Sequence, residues 1–200
     1  MDRKVDKVWT LSGVTLVEIL VLLAIVLILA GVVIAEIQSF LEKARLRQAL
    51  NQFLSDLNFV KNQAQITGVA WGIRACTDSG KYKIFIDHDG NCRDSYPNCD
   101  TPSSLKVCVN NLTQNCNGDA DCYPYFQGNC RPIEQVKVLD AGFTFVKNNS
   151  PSHFYVVFDR KGFPFDYICG LSPNNVTIKS PSGKKNLTVI VDRFGRIRVE

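Results

Sequence analysis

The residues of this chain that are placed to do chemistry begin with Ser12-Gly13-Val14-Thr15-Leu16-Val17-Glu18, whose acid opens a run from Ile19 to Ala35 with no other charge and no proline. A carboxylate at the mouth of a membrane-length apolar segment is costly unless a specific partner meets it. A cut after Gly13 would leave Val14 as a new N-terminus, with its α-ammonium one helical turn from Glu18. Glu18 of a neighbouring chain could neutralise the same ammonium. In a low-dielectric medium a paired ion costs far less than an unpaired one, so Glu18 reads as an assembly device. A plainer role stands beside that one, because a carboxylate also suits the positive end of a helix dipole.

A second set is the tail Gly195-Arg196-Ile197-Arg198. On a strand Arg196 and Arg198 share one face, while Ile197 and Val199 anchor the other. Arg193, Lys184 and Lys185 are candidates to extend this basic surface, which suits phosphate contacts made without sequence readout. The alternative is a solvated closing strand, and a net charge of +4 for the whole chain does not force the choice. A third set, Asp87, Asp89 and Asn91 around Gly90, places oxygens at alternate positions like the start of a calcium loop. Asn98 stands where such a loop needs its twelfth-position acid, and Arg93 takes a ligand position, so an Asx-bonded turn explains the segment and no metal is assigned.

Eight cysteines, at 76, 92, 99, 108, 116, 122, 130 and 169, form an even set. With no Cys-x-x-Cys for zinc and no Cys-x-x-Cys-His for haem, they read as disulfides of an oxidising compartment, their connectivity open. Seven lie between 76 and 130, a stretch poor in large apolar residues where crosslinks replace core. His88 and His153 are the only histidines, neither beside an obvious Ser or Cys nucleophile. No enzyme activity and no cofactor is expected.

The elements that must position these groups follow from periodicity. Val14 to Ala35 is 22 residues, roughly 33 Å as a helix, enough to cross a bilayer core. Arg3, Lys4 and Lys7 against Asp2 and Asp6 give a small basic excess, which places the N-terminus in the cytoplasm and the rest on the exported side. A cleaved secretory signal ending at Val33-Ile34-Ala35 and a plain uncleaved anchor are alternatives, but neither accounts for Glu18. Ile37, Leu41, Ala44, Leu50, Phe53, Leu54, Leu57 and Ala64 then continue at helical spacing. One helix is therefore expected from about Val14 to Ile66, ended by Gly68. Beyond it the period becomes two, with candidate strands at 69–76, 82–87, 105–109, 134–139, 143–146, 153–158, 176–179, 187–191 and 196–199. With 46% hydrophobic residues, this part supports a single core.

The segment Ser12-Gly-Val-Thr-Leu-Val-Glu-Ile-Leu20, followed by the apolar helix, resembles the class III signal of type IV pilins and type II secretion pseudopilins. Phe158 to Phe165, Asp192 to Val199 and the helix end around Asp56-Leu57 resemble the GspH/FimT branch of that superfamily. The resemblance implies an α+β pilin-like fold, in which a long N-terminal helix packs against an antiparallel β-sheet head. It implies cleavage between Gly13 and Val14 by prepilin peptidase, N-methylation of Val14, and assembly through Glu18 and Thr15. Val14 stands where Phe is usual, and no proline kinks the helix near Ala35, which leans toward a minor pilin or pseudopilin.

The implied organisation is a leader at 1–13, a transmembrane part at 14–36, an exposed amphipathic part at 37–67, and a β-rich head at 68–200 with a Cys-rich insertion at about 88–131. The implied location is the bacterial inner membrane, single-pass, with a periplasmic or extracellular head, and then a filament. Implied partners are the peptidase, other pilin or pseudopilin subunits, the inner-membrane assembly platform, and DNA or secreted cargo. DNA enters because DNA-capturing minor pilins of the FimT type carry a similar Gly-Arg-x-Arg tail.

Overall fold

The computed structural model describes residues 15–94, 98, 101–109, 111–122, 130–139, 142–147 and 153–200. The chain divides into two units, Met1–Leu41 and Glu42–Glu200. Helix α1 spans Leu16–Thr67. Thr15 caps it, its Oγ1 accepting the Glu18 amide at 3.3 Å. At the other end Gly68 takes the left-handed conformation, φ 71°, while its N–H returns to the Ala64 carbonyl at 3.1 Å.

In the second unit the buried stripe of α1 is Leu46, Ala49, Leu50, Phe53, Leu57, Val60 and Ala64, spaced by three and four residues. This corrects the expected face. Leu41 and Ala44 are exposed, and the stripe begins only at Leu46. Against it pack two antiparallel sheets. The first is ordered β6-β2-β1-β8-β9, from Ala70–Ala75 (β1), Lys81–Asp87 (β2), Glu134–Val138 (β6), Phe154–Phe158 (β8) and Pro164–Phe165 (β9). The second is ordered β12-β11-β10-β7, from Thr144–Val146 (β7), Asn174–Lys179 (β10), Asn186–Val191 (β11) and Ile197–Val199 (β12).

Alternate residues of each strand face the helix, as the two-residue repeat of a strand requires: Ile73 and Ala75, Tyr82 and Ile84, Phe154, Val156 and Phe158 from the first sheet, and Val176, Ile178, Val189 and Val191 from the second. Phe53 sits among them with ring centroids 5.0–5.8 Å from Phe145, Tyr82 and Phe154. Burying a residue of this kind is worth about 3–5 kcal/mol relative to Ala. Two polar clamps fix the helix on the first sheet. Tyr82 donates its hydroxyl to Asp56 Oδ2 at 2.6 Å, and Lys137 Nζ meets Asp56 Oδ1 at 2.6 Å.

A third small sheet, ordered β4-β3-β5, is made of Lys106–Cys108 (β3), Asn111–Asn115 (β4) and Cys130–Pro132 (β5). Its own core is sulfur. Cys108–Cys122 and Cys116–Cys130, each spanning 14 residues, enclose it, and Cys92–Cys169 ties the segment after β2 to the loop after β9. Cys76 is also disulfide-bonded, while Cys99 lies outside the described residues. The sulfurs of Cys108, Cys116 and Cys122 lie within 4.8 Å of one another, as two adjacent bridges rather than a set of thiolates able to hold a metal.

Candidate functional site

Gly13 and Val14, the expected cleavage pair, lie outside the described residues. Thr15 and Glu18 form the first turn of α1, and the Glu18 amide is held by both the side chain and the carbonyl of Thr15. Thr-x-x-Glu is also the pattern of a capping box, so part of what Glu18 does is local. On either side of it, every large apolar residue from Leu16 to Leu29 is 51–79% exposed. The helix is long and apolar enough to cross a membrane.

The basic tail is built by two turns of like design. Asp159-Arg160-Lys161-Gly162 and Asp192-Arg193-Phe194-Gly195 each carry the aspartate first and the glycine fourth. Asp159 Oδ1 accepts the amides of Lys161 and Phe163 at 2.9 and 2.8 Å, and Asp192 Oδ1 accepts those of Phe194 and Arg196 at 2.8 and 3.0 Å. Both glycines have positive φ, 82° and 73°. The turns also meet. A Cβ on Gly195 would lie 2.1 Å from the Gly162 carbonyl oxygen, and Lys61 of α1 donates to the Gly195 carbonyl at 2.9 Å.

Arg196 is engaged in its own turn. Its Nε pairs with Asp192 Oδ2 at 2.7 Å, and its guanidinium lies 5.5 Å from the Phe194 ring centroid. Arg198 pairs opposite Ile190 in β12 and is exposed, as is Arg193. Ile197 packs against the core, whereas Val199 is 38% exposed, so the expected two-residue apolar anchor rests on Ile197. Lys184 and Lys185 precede β11 while Arg193 and Gly195 follow it. The six tail candidates therefore divide between opposite ends of one strand, roughly 20 Å apart.

In the Asp87 segment, Asp87 is buried and its Oδ2 accepts the Cys92 amide at 3.0 Å. Burial pushes its carboxyl up. Asp89 accepts both the backbone and side-chain N–H groups of Asn91, and Asn91 Oδ1 accepts the Arg93 amide at 2.7 Å. Most of the oxygens a cation would need thus serve the loop's own amides. His153 Nδ1 lies 3.4 Å from Thr77 Oγ1, and burial together with the positive field of Arg74 holds its imidazole below the usual range.

The sequence did not reveal a buried ionic cluster on the side of the first sheet that faces away from α1. Lys83 and Glu134 side chains are fully buried and 3.2 Å apart, Lys83 also meets Asp94 at 3.1 Å, and Arg74 meets Asp94 at 2.9 Å. Tyr155 approaches the Asp94 amide, and Glu134 accepts the Ser103 amide at 2.6 Å. Asp94 and Ser103 belong to the Cys-rich insertion, so these ions fasten the insertion to the sheet. The available signal was charge at alternating strand positions, which ordinarily marks a solvent face.

No family model and no curated protein matches the chain. Among solved structures it is similar to the type IV minor pilin FimU of Pseudomonas aeruginosa, at 13% identity over 80% of this chain and 92% of that one, with a TM-score of 0.46. It is also similar to the minor pseudopilin EpsH from the type 2 secretion system of Vibrio cholerae, at 11% identity over 78% of this chain and 96% of that one, with a TM-score of 0.43. At these identities and scores the likeness carries no function to this chain.

Proposed function

We propose that this chain is a pilin-like structural subunit, a minor pilin or pseudopilin, held in a membrane and assembled with like subunits through the first half of α1. The carrying observation is the exposed apolar surface from Leu16 to Leu29, which holds a single carboxylate at Glu18, on a chain whose other unit has a closed, disulfide-bonded core. The bridges support a reading in which that second unit lies in an oxidising compartment and the N-terminus stays on the cytoplasmic side. Prepilin peptidase would cut after Gly13. The new Val14 ammonium and Glu18 of the adjoining subunit would then neutralise each other as helices stack.

Mass spectrometry of the mature N-terminus tests the processing step: Val14 supports the reading, while Glu36 would indicate an ordinary secretory signal and refute it. Glu18→Ala tests the assembly step. The variant keeps the helix and its processing but enters filaments poorly, and normal incorporation would refute the pairing role.

DNA capture by the tail is the second reading, favoured by the exposure of Arg193 and Arg198. With Arg196 paired to Asp192, two guanidiniums remain for phosphate, which predicts a shallow salt dependence with a slope of about −2. Retention of DNA by the full-length protein in detergent, unchanged in Arg193→Ala/Arg198→Ala, would remove this reading.

A further inference from the structure

Asp87 ends β2 on the face of the first sheet that points away from α1, and it is only 4% exposed. Its Oδ2 accepts the Cys92 amide, so the carboxylate turns into the loop that follows, but the enclosed Oδ1 has no hydrogen-bond partner. Asp89 accepts the preceding amide, that of Asn91, and after burial its carboxyl is a further cause raising that of Asp87. Among the described residues neither aspartate makes an ion pair. Arg74 and Lys83, the cations on that face, are paired with Asp94 and Glu134, and Arg93 sends its Nε to the Tyr167 carbonyl at 3.0 Å. A buried carboxylate oxygen left without a donor is strongly disfavoured, so Oδ1 calls for a positive ligand.

The folded loop fits a divalent cation better than its sequence suggests. Counted from Asp87, positions one, three and five are Asp87, Asp89 and Asn91, the side-chain ligand positions of a calcium loop. Position six needs a sharp turn, ordinarily from glycine; here Cys92 takes that conformation, φ 58°, fastened by its bridge to Cys169. Position seven contributes a backbone carbonyl, so the Arg93 side chain, drawn off to Tyr167, does not compete. The amide bonds orient the oxygens of Asp87, Asp89 and Asn91 without exhausting them, since an ionised carboxylate has about four lone-pair sites and an amide oxygen two. Asp89 and Asn91 are exposed, so the outer side of the loop meets solvent. Oxygen donors at irregular positions suit calcium, whereas magnesium demands near-octahedral ligands and gives up water reluctantly. The sulfurs of Cys92 and Cys169 are bonded to each other and offer no thiolate to a softer metal.

We propose that Asp87, Asp89 and Asn91 hold a calcium ion against the enclosed oxygen of Asp87. The proposal stands apart from the membrane reading and from the DNA reading. It is tested on the full-length oxidised protein in detergent, stripped with a chelator and titrated with calcium chloride by calorimetry. With Asn98 in place of a twelfth-position acid, one-site binding at about 10⁻⁴–10⁻³ M is expected. At about 10 mM calcium this multiplies the folding equilibrium constant roughly ten- to a hundredfold, read as a higher urea midpoint, and magnesium has the smaller effect. Asp89→Asn, at an exposed position, should weaken binding by about tenfold or more, because one ligand charge is lost. Asp87→Asn, which keeps an acceptor for the Cys92 amide, should abolish binding, whereas Asp121→Asn, in the other acidic turn, should bind as the parent does. A titration without saturable calcium uptake would overturn the proposal. So would equal stabilisation by magnesium, tighter binding of zinc that His88→Ala removes, or calcium binding that survives Asp89→Asn unchanged.

Discussion

Lys83→Met is the sharpest probe of how the Cys-rich insertion is held. Lys83 is fully buried between Asp94 and Glu134 and donates to the Asn98 carbonyl at 2.9 Å. Methionine fills nearly the same volume, so packing changes little and charge is the variable. Asp94 retains Arg74 at 2.9 Å, but Glu134 loses the cation 3.2 Å away and stays buried. Removing one member of a buried ion pair costs about 3–5 kcal/mol, most of it the desolvation of the charge left behind. With a urea slope of about 2 kcal/mol per molar, the unfolding midpoint should fall by roughly 2 M.

The assay is urea unfolding of the oxidised full-length protein in detergent, followed by Trp71 fluorescence in a Trp9→Phe background, since the chain has two tryptophans. Trp71 reports on the right place, because its indole N–H donates to Thr67 Oγ1 at 3.1 Å and its ring stands edge-on to Phe59. The decisive variant is the double Lys83→Met/Glu134→Gln. If the penalty is an orphaned carboxylate, the double variant is more stable than Lys83→Met alone and the cycle shows a coupling of about 2 kcal/mol or more. Additivity within about 0.5 kcal/mol would refute the ion-pair account and leave Lys83 as packing only.

Other consequences are as direct. Replacing Cys92 and Cys169 together by Ser opens a 77-residue loop and should cost about 4.5 kcal/mol on chain-entropy grounds, against about 3 kcal/mol for either 14-residue bridge; the ordering is checked by unfolding midpoints. Gly195→Ala meets the Gly162 carbonyl as well as a positive φ and should cost more than about 3 kcal/mol, whereas Gly68→Ala, with open space around it, should cost about 1 kcal/mol. The amides of Asn117 and Gly118, at 2.7 and 3.1 Å, hold the Asp121 carboxyl below its usual range. Its stabilising contribution is therefore complete above an unfolded value near about 4 and is lost as pH falls through the lower folded value. Stabilities of Asp121→Asn and the parent, measured against pH, should differ at neutrality and converge in acid.

Much of the fold was legible because burial on one face imposes a period. The nine strand runs read from alternation coincide with observed strands to within about two residues. Strands β4, β5 and β9 were not anticipated: β4 reads Asn-Leu-Thr-Gln-Asn and is mostly exposed, β5 is held by Cys130, and β9 has two residues. None of these has an apolar period to detect. Arg74 and Lys83 were illegible for the opposite reason, since their alternation was clear but the insertion covers the face that such charges ordinarily leave to water. The start of the α1 stripe at Leu46 depends on where the sheets end, which no local pattern records. In the candidate site, Thr15 and Glu18 fall at the helix start where the sequence put them.

The tail shows why a motif and its function must be separated residue by residue. Gly195 has a sufficient reason to be glycine in the contact with Gly162, and Arg196 a sufficient partner in Asp192. The same turn occurs at Asp159-Arg-Lys-Gly162, where nothing follows that resembles a binding tail. Half of the Gly-Arg-x-Arg pattern is therefore accounted for by docking two hairpin turns on Lys61 of α1, whatever the tail binds. Among the described residues of that pattern only Arg198 is left without a structural duty, as is Arg193 in the preceding turn, and Lys184 and Lys185 line a groove at the far end of β11. A small anion can meet only one of these two ends at a time, because six residues of paired strand hold them about 20 Å apart, whereas bridging both would take an extended polyanion.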